Sequence, residues 1–138
     1  MSKLAGALGF LLALTFGLSA CISRSLTTPE SPLTYGWVMA HSPDPGGHGW
    51  GVQIGPKTDG EGSHVAVYAW TDCTPSGCAW EFFDEYAPVV PGLVHDYSIV
   101  WSSDGWVLSA DGRQVVTLNV GSPDGAVFES DANERTVA

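Results

Sequence analysis

The sequence predicts an all-β chain folded as a single antiparallel β-sandwich, and three observations point there. Short runs rich in Val, Ile, Tyr, Phe and Trp alternate with clusters of Gly, Pro and Asp at roughly 8 to 12 residues, the spacing of sandwiches and barrels. Among 138 residues there are 17 Gly, 9 Pro and 6 Trp, but only 14% charged side chains, where average soluble domains carry about 25%. Lys, Glu and Arg are too sparse, and Gly and Pro too frequent, for long helices or a coiled coil. Length allows one domain. The formal charge is −10, from 15 acidic and 5 basic residues. With no basic field to displace counterions from a phosphate backbone, nucleic acid is not an expected partner.

In chain order, Lys3 precedes an apolar run from Leu4 to Ala20 that is diluted by Gly6, Gly9, Thr15, Gly17 and Ser19. A membrane-spanning helix needs about 20 apolar residues. This run falls short of that and suits the apolar region of a secretory signal ending in small residues, so residues 1–20 are expected to take no part in the fold. Leu18-Ser19-Ala20-Cys21 resembles the bacterial lipobox. That resemblance implies cleavage before Cys21, diacylation of its side chain and acylation of the new N-terminus. With Ile22 and not Asp after the cysteine, it also implies sorting to the outer membrane of a two-membraned cell. Each buried CH₂ of an acyl chain contributes about 0.8 kcal/mol, and more than one chain gives stable anchoring. Ordinary signal cleavage, leaving Cys21 as a thiol, stays open as the alternative.

Lipidation of Cys21 would leave Cys73 and Cys78 as a pair in a compartment where disulfides persist. The intervening Thr-Pro-Ser-Gly forms turns readily, so the pair suits a bridged loop tip. Closing so short a loop stabilises by about 2 kcal/mol. The spacing differs from the two residues of thioredoxin-like motifs, and zinc would need further ligands nearby.

Residues 21–33, rich in Ser, Thr and Pro, have little to bury and read as a flexible tether. The sandwich is therefore expected over 34–138. Strands are expected at Tyr35 to Ala40, Trp50 to Ile54, Val65 to Trp70, Trp80 to Phe83, Asp96 to Trp101, Trp106 to Ala110, Gln114 to Val120 and Ala126 to Glu129. The clearest stretch runs from His95 to Val120. By the period of two, His95, Tyr97, Ile99 and Trp101 share one face, and Trp106, Leu108 and Ala110 share another. Ser103-Asp104-Gly105 and Asp111-Gly112 supply the corners of an antiparallel meander.

The run His95-Asp-Tyr97-Ser-Ile99-Val-Trp101, followed by Asp104-Gly-Trp106 and by Asp111-Gly112, resembles a segment of concanavalin A-like jelly rolls. It is most similar to the laminarinase and lichenase type of glycoside hydrolase. The resemblance covers about 18 residues and implies a jelly-roll sandwich, here a reduced one because the family usually has a longer chain. It also implies that His95, Trp101 and Trp106 are scaffold. Hydrolases of this type carry E-x-D-x-x-E on one strand, which aims two carboxylates into a cleft at the separation a retaining mechanism needs. The nearest candidate is Glu81-Phe-Phe-Asp84-Glu85, whose spacing departs from that pattern. Glu81 and Glu85 would share a strand face and Asp84 would point away.

Aromatic residues are the better pointer to a ligand. Pyranose rings present apolar C–H faces to flat aromatic surfaces, while carboxylates accept from their hydroxyls. Trp70 and Trp80 bracket the Cys73–Cys78 clip and Trp50 adjoins a Gly-rich loop, so these three are the candidate ligand platform. The loop His41-Ser-Pro-Asp44-Pro-Gly-Gly-His48 holds two imidazoles and a carboxylate, a set some divalent metals use, yet its Pro and Gly content reads as a turn and no third strong ligand is assignable. Calcium, common in concanavalin-like folds, would use Asp and backbone oxygens, again with no assignable residue set. There is no Gly-x-Ser-x-Gly elbow and no Walker-type phosphate loop. The leading expectation is a lipid-anchored envelope protein that binds carbohydrate without cleaving it. A structural or protein-interaction role and a small β-glucan hydrolase remain as rivals, and the sequence carries no signal of oligomeric state.

Overall fold

The computed structural model describes residues 20–43 and 49–135, with side chains through residue 131. The expected leader therefore lies outside the described residues except for Ala20, as do Asp44 and His48 of the candidate metal loop. Nine strands follow one another without a helix among the described residues: β1 (Cys21–Thr27), β2 (Thr34–His41), β3 (Trp50–Asp59), β4 (Gly62–Thr74), β5 (Gly77–Pro88), β6 (Val94–Ser102), β7 (Gly105–Ala110), β8 (Arg113–Leu118) and β9 (Val127–Arg135). They form two antiparallel sheets, one of four strands in the order β1-β6-β7-β8 and one of five in the order β5-β4-β3-β2-β9. The predicted sandwich is the observed architecture.

Alternation decides which side chains face inward. Val38 and Ala40 of β2, Val52 and Ile54 of β3, and Val65, Val67 and Ala69 of β4 are buried from the five-stranded sheet. Ile22 and Leu26 of β1, Tyr97 and Ile99 of β6, Trp106 and Leu108 of β7, and Leu118 of β8 meet them from the other. Trp106 is the centre of this layer. Its ring lies 5.3 Å from that of Trp50, 5.1 Å from Trp101 and 6.1 Å from Phe128, the last two edge-on, which is the geometry that aromatic quadrupoles favour. Burial, helped by the charge of Asp111, pushes the Tyr97 phenol far above its ordinary pKa.

The expected tether departs from the structure. Cys21–Thr27 is strand β1, paired along its length with β6 from Cys21 opposite Val100 to Thr27 opposite Val94. Ile22 and Leu26 stand four residues apart, so they share a strand face and both are buried. The Ser and Thr content that reads as tether belongs to the solvent side of an edge strand. The link onward is held too: Thr28 N–H donates to the Leu93 carbonyl at 2.8 Å, and the Thr58 hydroxyl donates to the Pro29 carbonyl at 2.6 Å. The expected strands Val65 to Trp70 and Trp80 to Phe83 are the middle of a longer hairpin, β4 to β5, whose ladder runs out to Thr74 opposite Gly77.

Both Asp-Gly corners form as expected. At the β7–β8 corner Asp111 and Gly112 take φ of 52° and 75°, the paired positive values of a tight hairpin turn that Asn, Asp and Gly tolerate. The Asp111 carboxylate accepts from the Asp96 N–H at 2.9 Å and sits 2.6 Å from His95 Nδ1. The Asp96 N–H foremost, and then His95, hold its pKa below the ordinary carboxylate value. A carboxyl whose folded pKa is depressed contributes stability above its unfolded pKa, about 3.9, and loses it as pH falls through the folded value. Below about pH 4, Asp111→Asn is therefore expected to flatten the fall of the urea midpoint with pH. An unchanged slope would count against this linkage.

Candidate functional site

The outer face of the five-stranded sheet carries an aromatic-walled groove, and strand register explains it. In β3 the outward positions are Gly51, Gln53, Gly55 and Lys57. Gly51 stands opposite Trp70, Gln53 opposite Tyr68 and Gly55 opposite Ala66 of β4. On the other side Lys57 stands opposite Tyr35, and Gln53 opposite Met39, of β2. The middle strand thus offers a floor with little side chain, while Tyr35 and Trp37 rise on one flank and Tyr68 and Trp70 on the other. Phe83 of β5, opposite Tyr68, extends the second flank. The groove encloses about 420 Å³, runs from Tyr35 and Lys57 to Trp70 and Cys73, and falls within the size range of small-ligand sites, about 300 to 1,000 Å³.

The glycines of the floor are needed where they are. A Cβ on Gly51 would overlap the Trp70 indole, which lies flat across that position. A Cβ on Gly55 would overlap the Gly36 carbonyl oxygen and come within 2.8 Å of the Trp37 Cα, so β2 approaches β3 closely there. Tyr68 and Trp70 rings stand 5.3 Å apart and are tilted by 31°.

Polar groups are placed along the same walls. Lys57 Nζ donates to Glu85 Oε1 at 2.9 Å, pairs with Asp59 at 3.2 Å and lies 5.0 Å above the Phe83 ring. Burial alone would lower the Lys57 pKa, but hydrogen bonds and charge from Glu85 and Asp59 outweigh it and hold the ammonium above its ordinary value. The Tyr68 hydroxyl donates to Glu81 at 3.0 Å; burial first and that carboxylate second raise its pKa. His64 lies 3.8 Å from Glu85. Flat apolar faces beside an amide, an ammonium matched by two carboxylates, and a phenol suit a neutral ligand rich in hydroxyl groups.

Of the three tryptophans expected to form a platform, the structure places one in this groove. Trp70 lines it. Trp50 faces inward at the start of β3, against Trp106 and over Gly121, so its ring packs on the edge of the core. Trp80 stands opposite Thr71 on the inner side of edge strand β5, stacked on Phe82 with centroids 6.2 Å apart and 40% exposed. It is on the reverse of the strand from Phe83. Tyr35, Trp37, Tyr68 and Phe83 are the residues that sequence reasoning missed. Their signal was the shared parity of Tyr35-Gly-Trp37, Gly51-Val-Gln53-Ile-Gly55 and Tyr68-Ala-Trp70.

Glu81 and Glu85 do face outward together, with Asp84 on the other side, opposite Val67. Their four-residue separation differs from the five residues between the two glutamates of E-x-D-x-x-E. Each is also engaged, Glu81 with Tyr68 and Glu85 with Lys57. Cys73 and Cys78 form the expected disulfide across the tip of the β4–β5 hairpin. Cys73, Cys78 and Glu81 bring potential ligand atoms within 4.8 Å of one another, but both sulfurs are committed to that bond. His41 lies 3.1 Å from Glu129 through Nε2 and 2.7 Å from the Ser42 carbonyl through Nδ1.

The disulfide closes the Trp70 end of the groove. Replacing both Cys73 and Cys78 by Ser is expected to cost about 2 kcal/mol. Thermal unfolding should register this as a fall in Tm on the order of 8 °C; an unchanged Tm would show that the hairpin ladder alone sets the tip. Compared with protein-family models, curated proteins and solved structures, the chain matches none.

Proposed function

We propose that this chain is an exported, lipid-anchored protein that binds a neutral carbohydrate in the groove on its five-stranded sheet and does not cleave it. The observation that carries this reading is the pairing of aromatic walls with a glycine floor: Tyr35 and Trp37 on β2 and Tyr68 and Trp70 on β4, with Gly51 and Gly55 between them. Such walls offer stacking surfaces for the C–H faces of pyranose rings. Gln53, Lys57 and the Tyr68 hydroxyl supply hydrogen bonds, and Lys57 is already matched by Glu85 and Asp59, so an anionic polymer gains little. The engagement of Glu81 by the Tyr68 hydroxyl and of Glu85 by Lys57 argues for holding the chain and against cutting it. The resemblance of His95 to Gly112 to concanavalin A-like glucanases makes β-glucans the first class to try.

Anchoring rests on Leu18-Ser19-Ala20-Cys21, with the lipid on Cys21 and the outer membrane as destination in a two-membraned cell. Retention of the protein on immobilised laminarin or lichenan, competed by soluble oligosaccharide and without release of reducing sugar, is the expected result. Failure to be retained by any neutral glycan of a broad panel would overturn the binding reading. Cys21→Ser is expected to abolish partitioning into membranes, and unaltered partitioning would overturn the anchor.

A further inference from the structure

We infer that the outer face of the four-stranded sheet is the surface this protein lays against a lipid bilayer, so that the groove opens away from the membrane. The inference rests on the lipidation of Cys21 proposed above, and three features of the fold carry it beyond that reading. First, no spacer separates the anchor from the fold. Cys21 is the first residue of β1 and stands opposite Val100 of β6, with Ile22 beside it already in the core. The ladder even extends to Ala20, whose carbonyl accepts from the Trp101 N–H at 3.0 Å. Once residues 1–20 are removed, the carbonyl of an acyl group on the Cys21 nitrogen takes the same covalent place, which fixes the start of that chain against β6.

Second, the face that Cys21 shares carries fewer carboxylates than the opposite one. By the strand period Ser23 and Ser25 of β1 lie on it, and Asp96, Ser98 and Val100 lie on it from β6. Asp96 is the charged group among them, and the Ser25 hydroxyl donates to it at 2.5 Å; Asp111, beside Asp96 at the β7–β8 corner, is a second carboxylate on this face and lies 2.6 Å from His95 Nδ1. Val100 is 43% exposed. Third, the opposite face of the molecule is acidic: Asp59, Glu81, Glu85, Glu129 and Asp131 stand there against Lys57. Anionic headgroups repel carboxylates. Stacked sheets lie about 10 Å apart and the screening length is about 8 Å at physiological salt, so laying the four-stranded sheet down moves the acidic face beyond one screening length. The reverse orientation would press its carboxylates into the headgroups and close the groove.

The test uses the lipidated mature protein, beginning at Cys21, in vesicles containing anionic phospholipid and a nitroxide-bearing headgroup lipid. Ser98→Cys and Glu129→Cys place one reactive thiol on each face for a fluorophore, since Cys21 is acylated and Cys73 and Cys78 are bonded. Co-flotation with the vesicles reports the anchor separately from orientation. The expected result is co-flotation of both labelled proteins with quenching several-fold stronger at position 98 than at 129. Co-flotation with equal quenching, or with stronger quenching at 129, would overturn the orientation while leaving the anchor standing. Failure of both proteins to float, with purification confirming that they are folded, would overturn anchor and orientation together.

Discussion

Replacing Trp70 by Ala is expected to weaken glycan binding about thirtyfold, and Trp37→Ala to do much the same. Truncating a stacking platform removes both the apolar area that a pyranose covers and the geometry-specific aromatic contribution. Together these are worth roughly 2 kcal/mol, and each 1.4 kcal/mol is tenfold in Kd. Both rings stand on the outer face, where deletion leaves solvent and not a void, so the folded state should change little. Trp80→Ala supplies the contrast: that residue also lies partly exposed but on the reverse of β5, and its loss is expected to leave binding within twofold. Affinity electrophoresis in β-glucan gels reads all three. Equal losses for Trp70→Ala and Trp80→Ala would place the ligand elsewhere.

The second large effect concerns stability. Gly55→Ala would drive a methyl group into the Gly36 carbonyl oxygen and the backbone around Trp37. Backbone atoms cannot rotate out of the way, so β2 must separate from β3 over the segment that carries Tyr35 and Trp37. A loss of about 4 kcal/mol or more is expected, in the range reserved for severe single changes, and a domain with about 5 to 15 kcal/mol in total would lose much of its cooperative unfolding transition. The three atoms nearest a Cβ at Gly51 all belong to the Trp70 indole, a side chain that can swing aside. The Gly51→Ala variant should remain folded, with a modest fall in Tm, and should bind glycan as poorly as Trp70→Ala. Similar thermal stability for the two glycine variants would contradict the close approach of β2 to β3.

Much of the fold was legible because alternation and turn chemistry agreed. The stretch from His95 to Val120 placed Tyr97, Ile99, Trp106 and Leu108 correctly, since apolar positions at period two were bounded by Asp-Gly corners. β1 was not legible by composition: its Ser and Thr outnumber Ile22 and Leu26, and only the spacing of those two residues betrays a buried face. The groove was harder for a physical reason. In β2 the outward set, Tyr35, Trp37 and Met39, is larger and more apolar than the inward set, Gly36, Val38 and Ala40, so hydrophobicity alone assigns the strand's faces the wrong way round. Trp50 misled in the opposite sense, because a Gly-rich neighbourhood does not tell which face of a strand a ring occupies. Bracketing by the Cys73–Cys78 clip grouped Trp70 with Trp80, yet the register separates them: Trp70 stands outward opposite Glu81, while Trp80 stands opposite Thr71 on the reverse of β5.

The most direct measurement is a titration of the protein with a soluble β-glucan oligosaccharide, followed through the six tryptophan indole N–H signals. The Trp37 and Trp70 signals should shift with a common dissociation constant, while that of Trp106, sealed between the sheets, should stay fixed. Movement of the Trp80 signal with Trp37 and Trp70 unchanged, or no movement at all at saturating oligosaccharide, would contradict a glycan-binding groove on the five-stranded sheet.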